Sequence, residues 1–231
     1  MLNVRDLTKR FRDTIAVDNL SFNVAAGEAV VLLGPNGAGK TTTFLCMSGL
    51  VRPDAGHFEW DGTPLRKNRG QTIGLIPETP EVYPTLTVWE HLVFTARSCE
   101  LGDDWVDRAN ELLERFSLAE QRNALGSALS KGMKQKTLIA ATVLARTPVL
   151  LFDEPMIGID PAGQRELRDL IAELRAQGTA IAVSTHLLES ARAIAERAII
   201  LKQGKCLFDG ALDSVNASAN DLETMFLRIT A

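Results

Sequence analysis

Short apolar runs alternate with amphipathic segments along most of the chain. Ala29-Val30-Val31-Leu32-Leu33 and Pro148-Val149-Leu150-Leu151-Phe152 carry no polar position, the pattern of strands buried on both faces. Ile73 to Ile76, Ala180 to Ser184 and Ala198 to Leu201 read as further short strands. Helices read over Thr42 to Leu50 and Met133 to Ala145. Such alternation predicts a mostly parallel α/β sheet. Leu2 to Phe11 and Ala16 to Val24 alternate apolar with polar positions and predict an antiparallel flank. Lys202-Gln203-Gly204-Lys205 reads as a hairpin turn between Ile199-Ile200-Leu201 and Cys206-Leu207-Phe208.

The stretch from about Thr87 to Leu129 breaks the alternation. Thr87-Val88-Trp89-Glu90 has the form of a capping box opening a helix. A second helix follows Asp103, with Val106, Ala109, Leu112, Leu113 and Phe116 on one face. No strand candidate interrupts this region, so it reads as a helical insertion between two parts of one α/β core. The expected division of a single domain over residues 1–231 is a core of about 1–86 and 130–210, a helical part of about 87–129 and a short helical tail of about 211–231.

Composition narrows the classes. With 231 residues and 45% hydrophobic content, the chain can bury a substantial core. A formal net charge of -4 gives no basic footprint for nucleic acid. Cys46, Cys99 and Cys206 form no C-x-x-C pair and read as reduced thiols. His57, His91 and His186 lack metal-ligand spacing. Residues 1–12 mix charges and lack an apolar h-region, so no signal peptide is expected. No run approaches the roughly 18 apolar residues of a bilayer span. Any membrane role is therefore expected to run through a partner.

Chemistry concentrates first in Gly34-Pro35-Asn36-Gly37-Ala38-Gly39-Lys40-Thr41, which fits G-x-x-x-x-G-K-[ST] between a strand and a helix. In that context backbone N–H groups wrap phosphates and the helix N-terminus adds partial positive charge. Lys40 can reach the β- and γ-phosphates, and the Thr41 hydroxyl can hold Mg²⁺, with Thr42 next in the helix. Asp153 and Glu154 form an acidic pair at the end of a buried strand. Asp153 suits Mg²⁺ held through its water shell, and Glu154 suits a general base for water. Ser130, in Leu129-Ser130-Lys131-Gly132-Met133, is a good N-cap, and the same hydroxyl and helix N-terminus also suit an anion.

Taken together these segments resemble the ATP-binding cassette (ABC) ATPases over nearly the whole chain, from Leu2 to about Gly210. Gly34 to Thr41 is similar to the family's Walker A motif, Val149 to Glu154 to its Walker B motif and catalytic glutamate. Leu129, Ser130 and Gly132 match the signature L-S-G-G-Q, Gly158-Ile159-Asp160 resembles the D-loop, and His186 matches the switch histidine. The L-S-K-G-M-K-Q run and the P-E-x-P element after Ile76 resemble ATPase subunits of ABC-2-type exporters. The resemblance implies a P-loop NTPase fold with an antiparallel β flank and a helical insertion, ATP and Mg²⁺ as ligands, and ATP hydrolysis. It also implies a head-to-tail dimer in which Ser130 and the Gly132 N–H bind the γ-phosphate held by the other subunit. An integral membrane permease subunit would complete the assembly at the cytoplasmic face of the membrane, with Tyr83, Pro84 and Leu86 either as its contacts or as plain loop packing. Phe11 stands where the family stacks an aromatic ring, more often tyrosine, on adenine.

Four positions depart from the family pattern. Glu78 replaces the usual Q-loop glutamine, and as a carboxylate it coordinates Mg²⁺ more strongly than an amide. Lys131 replaces the first signature glycine, serving either dimerisation or solvation. Met133 replaces the signature glutamine, and Ile157 the D-loop serine. Two other classes compete: a soluble ABC ATPase acting on a ribosome or nucleic acid, and a small-molecule kinase. The first usually carries two cassettes or a long coiled-coil insertion. The second must keep water from the phosphoryl group, which a base at Glu154 contradicts.

Overall fold

The computed structural model describes residues 1–66 and 69–212. In chain order the strands are β1 (Leu2–Phe11), β2 (Thr14–Val24), β3 (Ala29–Leu33), β4 (Ala55–Trp60), β5 (Thr63–Pro64), β6 (Ile73–Ile76), β7 (Val149–Asp153), β8 (Ala180–Thr185), β9 (Arg197–Lys202) and β10 (Lys205–Ala211). The helices are α1 (Lys40–Ser48), α2 (Val88–Ser98), α3 (Trp105–Arg115), α4 (Lys131–Leu144), α5 (Pro161–Ala176) and α6 (Leu188–Ile194). Of the tail expected to be helical over about 211–231, Ala211 instead ends β10, where it pairs with Arg197, and residues 213–231 lie outside the described residues.

Six strands form a central sheet in the order β10-β9-β3-β8-β7-β6. All its pairs are parallel except β9–β10, joined by the expected hairpin. Period-two alternation divides its side chains between two cores. Val31, Leu33, Leu150, Phe152, Ile181 and Val183 face the side that holds Ile139 of α4 and Leu167 of α5. Val30, Leu32, Val149, Leu151, Ala180 and Ala182 face the side that holds Phe44 and Met47 of α1 and the residues of the second sheet. Strands covered on both faces need no polar position, which explains the unbroken apolar runs.

The second sheet is antiparallel, in the order β2-β1-β4-β5. Sequence patterning marked β1 and β2 but not β4 and β5. In β4 only Phe58 is buried, and β5 is two exposed residues, so no apolar alternation advertises either. Their register comes from β1, through pairs such as Val4 with Phe58.

α2 and α3 lie between β6 and β7, and no strand interrupts them. The capping box is present: Thr87 Oγ1 accepts from the Glu90 N–H at 3.1 Å, and Glu90 Oε2 from the Thr87 N–H at 2.7 Å. These bonds hold the Glu90 carboxyl below its ordinary range. On α3, Ala109, Leu112 and Leu113 are buried as expected, with Phe116 just beyond, but Val106 is exposed. In that first turn Trp105 makes the packing contact, its ring 5.3 Å from that of Trp89. Arg122 lies over the Trp89 ring, so these tryptophans serve packing.

Candidate functional site

The glycine loop leaves β3 at a point where only glycine fits. A Cβ on Gly34 would lie 2.4 Å from the Leu201 carbonyl oxygen of β9. The loop then folds on itself, with the Ala38 N–H donating to the Pro35 carbonyl at 3.1 Å. Gly37 and Gly39 take left-handed φ values of 80° and 103°. α1 begins directly after Gly39, and no side chain caps its N-terminus. Its first N–H groups therefore remain available to an anion.

Lys40 is buried in the first turn. Its Nζ donates to the Gly34 carbonyl at 2.7 Å and the Pro35 carbonyl at 3.3 Å, and lies 3.5 Å from Glu154 Oε1. His186 Nδ1 contacts the same Oε1 at 2.9 Å. A carboxylate only accepts, so the histidine hydrogen sits on Nδ1. Two of the expected residues, Lys40 and His186, thus converge on one oxygen of a third, Glu154.

Glu154 reaches this place by an unusual backbone. Its φ is 45°, in the left-handed region. Its N–H points back to β8, 3.2 Å from the Ser184 carbonyl and 3.0 Å from Ser184 Oγ. Asp153, paired with Ser184 in the parallel register, is 2% exposed and accepts a hydrogen bond from the Ser184 hydroxyl on Oδ1. Sequence reasoning missed Ser184, because a serine at a strand end gives no sign of its partners across the sheet.

A cavity of about 480 Å³ opens over the loop. Residues 36–42 form its floor, so Asn36, Gly37, Ala38, Gly39, Lys40, Thr41 and Thr42 all line it, together with Glu78 and Glu154. Thr14, Ile15 and Ala16 of β2 supply a wall that sequence reasoning did not mark. Phe11 is outside this lining. It sits at the turn into β2 with 47% exposure and the Lys9 ammonium 5.1 Å from its ring.

The donor set suits Mg²⁺ carried by a phosphate ligand. Thr41, Glu78 and Asp153 offer only oxygen. Among the described residues no group of three or more His, Cys, Asp or Glu could hold an ion unaided. A magnesium ion here would complete its shell with phosphate oxygens and water, its usual habit.

Ser130 and Gly132 do not line the cavity of their own chain. Ser130 caps α4, its Oγ accepting from the Met133 N–H at 3.2 Å, so the helix starts two residues earlier than the sequence suggested. A Cβ on Gly132 would lie 2.7 Å from the Gly158 carbonyl oxygen, so the helix start packs on the loop that follows Glu154. Lys136 Nζ donates to Asp160 Oδ1 at 2.6 Å, and Asp160 in turn caps α5 through the Gly163 N–H. The lysine bond first, and then the Gly163 N–H, hold the Asp160 carboxyl below its ordinary range. Of the other histidines, His91 is buried at the base of the loop before α2, its Nε2 accepting from the Tyr83 N–H at 2.9 Å.

The family model described as "ABC transporter" matches residues 17–157. The SkfA peptide export ATP-binding protein SkfE of Bacillus subtilis (strain 168) is 37% identical over 211 residues, 90% of this chain and 88% of that protein. The lipopolysaccharide export system ATP-binding protein LptB of Escherichia coli (strain K12) is 34% identical over 216 residues, 90% of each chain. A solved structure of the ATP binding subunit of an ABC transporter matches with a TM-score of 0.93 at 32% identity, covering 100% of both chains. cbiO1 from Clostridium perfringens matches with a TM-score of 0.78 at 26% identity, covering 99% of this chain and 93% of that one. The glycine loop, the acidic strand end and the whole-length likeness agree: the chain belongs to the ABC transporter family, as an ATP-binding and ATP-hydrolysing subunit.

Proposed function

We propose that the chain drives an exporter by closing on Mg²⁺-ATP as a head-to-tail dimer, beneath a separate membrane subunit at the cytoplasmic face. The observation that carries this is the shared oxygen: Lys40 and His186 both engage Glu154 Oε1 at the mouth of the glycine loop. That leaves Oε2 to take a proton from water. ATP gives Lys40 a stronger anionic partner than Glu154, which frees the carboxylate for this task. His186 holds the carboxylate through Nδ1, which leaves Nε2 on the other edge of the ring for the γ-phosphate. Mg²⁺, when bound, neutralises developing phosphate charge. The names of SkfE and LptB both specify export, which favours that direction here.

The position of Ser130 supports the dimer. Ser130 is exposed at a helix N-terminus yet outside its own chain's cavity. A second copy would bring that N-terminus to a bound γ-phosphate. Mixing supplies the test. Glu154→Gln and Ser130→Ala are each expected to be nearly inactive alone. Combined before ATP is added, they are expected to regain hydrolysis, since mixed dimers hold one intact site. No recovery at any ratio would exclude a site built from two chains.

The membrane subunit is proposed to dock on the loop before α2. Among the described residues no helix is long and apolar enough to cross a membrane, which is compatible with a transport path in a partner. The Pro84 carbonyl accepts from the Ser127 N–H at 3.0 Å and the Leu86 carbonyl from the Gly126 N–H at 2.8 Å, which fixes the loop. Tyr83, 56% exposed, stacks on His91 and meets Phe94 edge-on. A rigid, exposed aromatic ring of this kind suits an interface.

Glu78 is assigned to the metal. It lines the same cavity as Thr41. Beside a triphosphate its charge repels unless a cation intervenes, so ATP affinity is expected to depend more steeply on Mg²⁺ than in Glu78→Gln. Equilibrium binding across a Mg²⁺ series measures this, and equal slopes would remove Glu78 from the metal's surroundings.

A further inference from the structure

We propose that Ser184 is a positioning residue that sets the metal carboxylate and the catalytic base with a single hydroxyl. The inference rests on the assignment of Asp153 to Mg²⁺ and Glu154 to the base. In β8, where Thr185 at the end turns its hydroxyl to the Leu187 N–H, residues 180–183 are all apolar and fully buried, and Ser184 shares their 0% exposure. A hydroxyl in such a place is costly unless satisfied. Here both of its bonds go to the two acidic residues. It donates to Asp153 Oδ1 and accepts from the Glu154 N–H at 3.0 Å.

One hydroxyl has one hydrogen, so the two bonds are not independent. Donation to Asp153 fixes the rotor and turns a lone pair toward Glu154. The carboxylate of Asp153 is held by one oxygen, leaving the other for the ion. The N–H of Glu154 is held by the serine twice, through Oγ and the backbone carbonyl at 3.2 Å. That second hold matters because the Glu154 φ of 45° is unfavourable for a residue with a side chain. The left-handed turn places Glu154 Oε1 between Lys40 and His186. Losing the hydroxyl therefore loosens ion and base together, although Ser184 is given no contact with ATP.

Three substitutions test this. Ser184→Thr keeps the hydroxyl, while Ser184→Val has nearly the same shape without it, and Ser184→Ala removes it without added bulk. Val and Ala are each expected to lower kcat about 10–100-fold, the usual effect of removing a partner that orients a metal ligand. They are also expected to weaken Mn²⁺ binding to the ADP-loaded protein, read by electron paramagnetic resonance of free Mn²⁺. Thr is expected to stay within a few-fold of the parent in both measurements. Thermal melting of each variant separates misfolding from mispositioning. A purely packing role treats Thr and Val alike, and equal kcat and equal Mn²⁺ affinity in those two would overturn the proposal. So would parental values in Ser184→Ala. Glu154→Gln run in parallel keeps the outcomes apart. If it is inactive while Ser184→Ala is unaffected, only the serine's role fails. If it turns over normally, the assignment of the base fails.

Discussion

Glu154→Gln is expected to lower ATP turnover by about 10²–10⁴-fold, the span usually contributed by a positioned general base. Nucleotide binding should survive, because the glycine loop, Lys40 and the α1 N-terminus are untouched. The fold should survive as well. Glutamine keeps the shape, and its amide oxygen can still accept the hydrogen from His186 Nδ1. Lys40 loses its charge partner but retains the Gly34 and Pro35 carbonyls. With hydrolysis blocked and binding intact, Mg²⁺-ATP should hold two copies together, and gel filtration should show a dimer that ADP does not support. Near-parental turnover would remove Glu154 from the chemistry. Inactivity without a dimer would leave the base in place but remove the ATP-closed pair. Either result is decisive, since the two readouts depend on different atoms.

How much of this was legible in the sequence depended on the physics of each segment. The parallel strands were plain because both faces are buried, so composition alone marks them. The glycine loop was plain because each of its glycines answers a close contact or a left-handed dihedral that favours glycine. β4 was hidden for the opposite reason. It buries one side chain and owes its place to β1, including Gly56, whose missing Cβ lets the backbone pass Leu7 Cα. Val106 misled because period places it on the apolar face, while Trp105 makes the packing contact there. At the site, motif order named Lys40, Glu154 and His186 but could not say that one oxygen joins them. Ser184 lies further from reach. Its significance exists only in the parallel register that pairs it with Asp153 across 31 positions of chain.

Gly39→Ala should cost both stability and nucleotide binding, and Gly37→Ala shows why by contrast. Both glycines have left-handed φ, so an alanine at either position carries backbone strain of about 1–3 kcal/mol. At Gly37 the added Cβ meets nothing within 4 Å. At Gly39 it would lie 2.4 Å from the Ala16 carbonyl oxygen, a contact that real Cβ atoms do not make. Something must move, at a further cost of roughly 1–3 kcal/mol. Little here can move cheaply. The Ala38 carbonyl accepts from the Gly204 N–H at 3.0 Å, and the Gly204 carbonyl accepts from the Asp18 N–H at 2.9 Å, so loop, hairpin and β2 are joined. The Gly39 carbonyl also takes the Thr43 N–H at 2.9 Å and the Thr43 hydroxyl at 2.8 Å, so a shift disturbs the first turn of α1. At about 2–4 °C per kcal/mol for a chain of this size, Gly39→Ala should melt roughly 5–15 °C lower than the parent. Gly37→Ala should fall by about half as much or less. ATP affinity should drop at least tenfold in Gly39→Ala, because the displaced turn no longer aims its N–H groups at the phosphates. Equal melting losses in the two variants would show that backbone strain, and not the contact with β2, sets the requirement for glycine at this point of the loop.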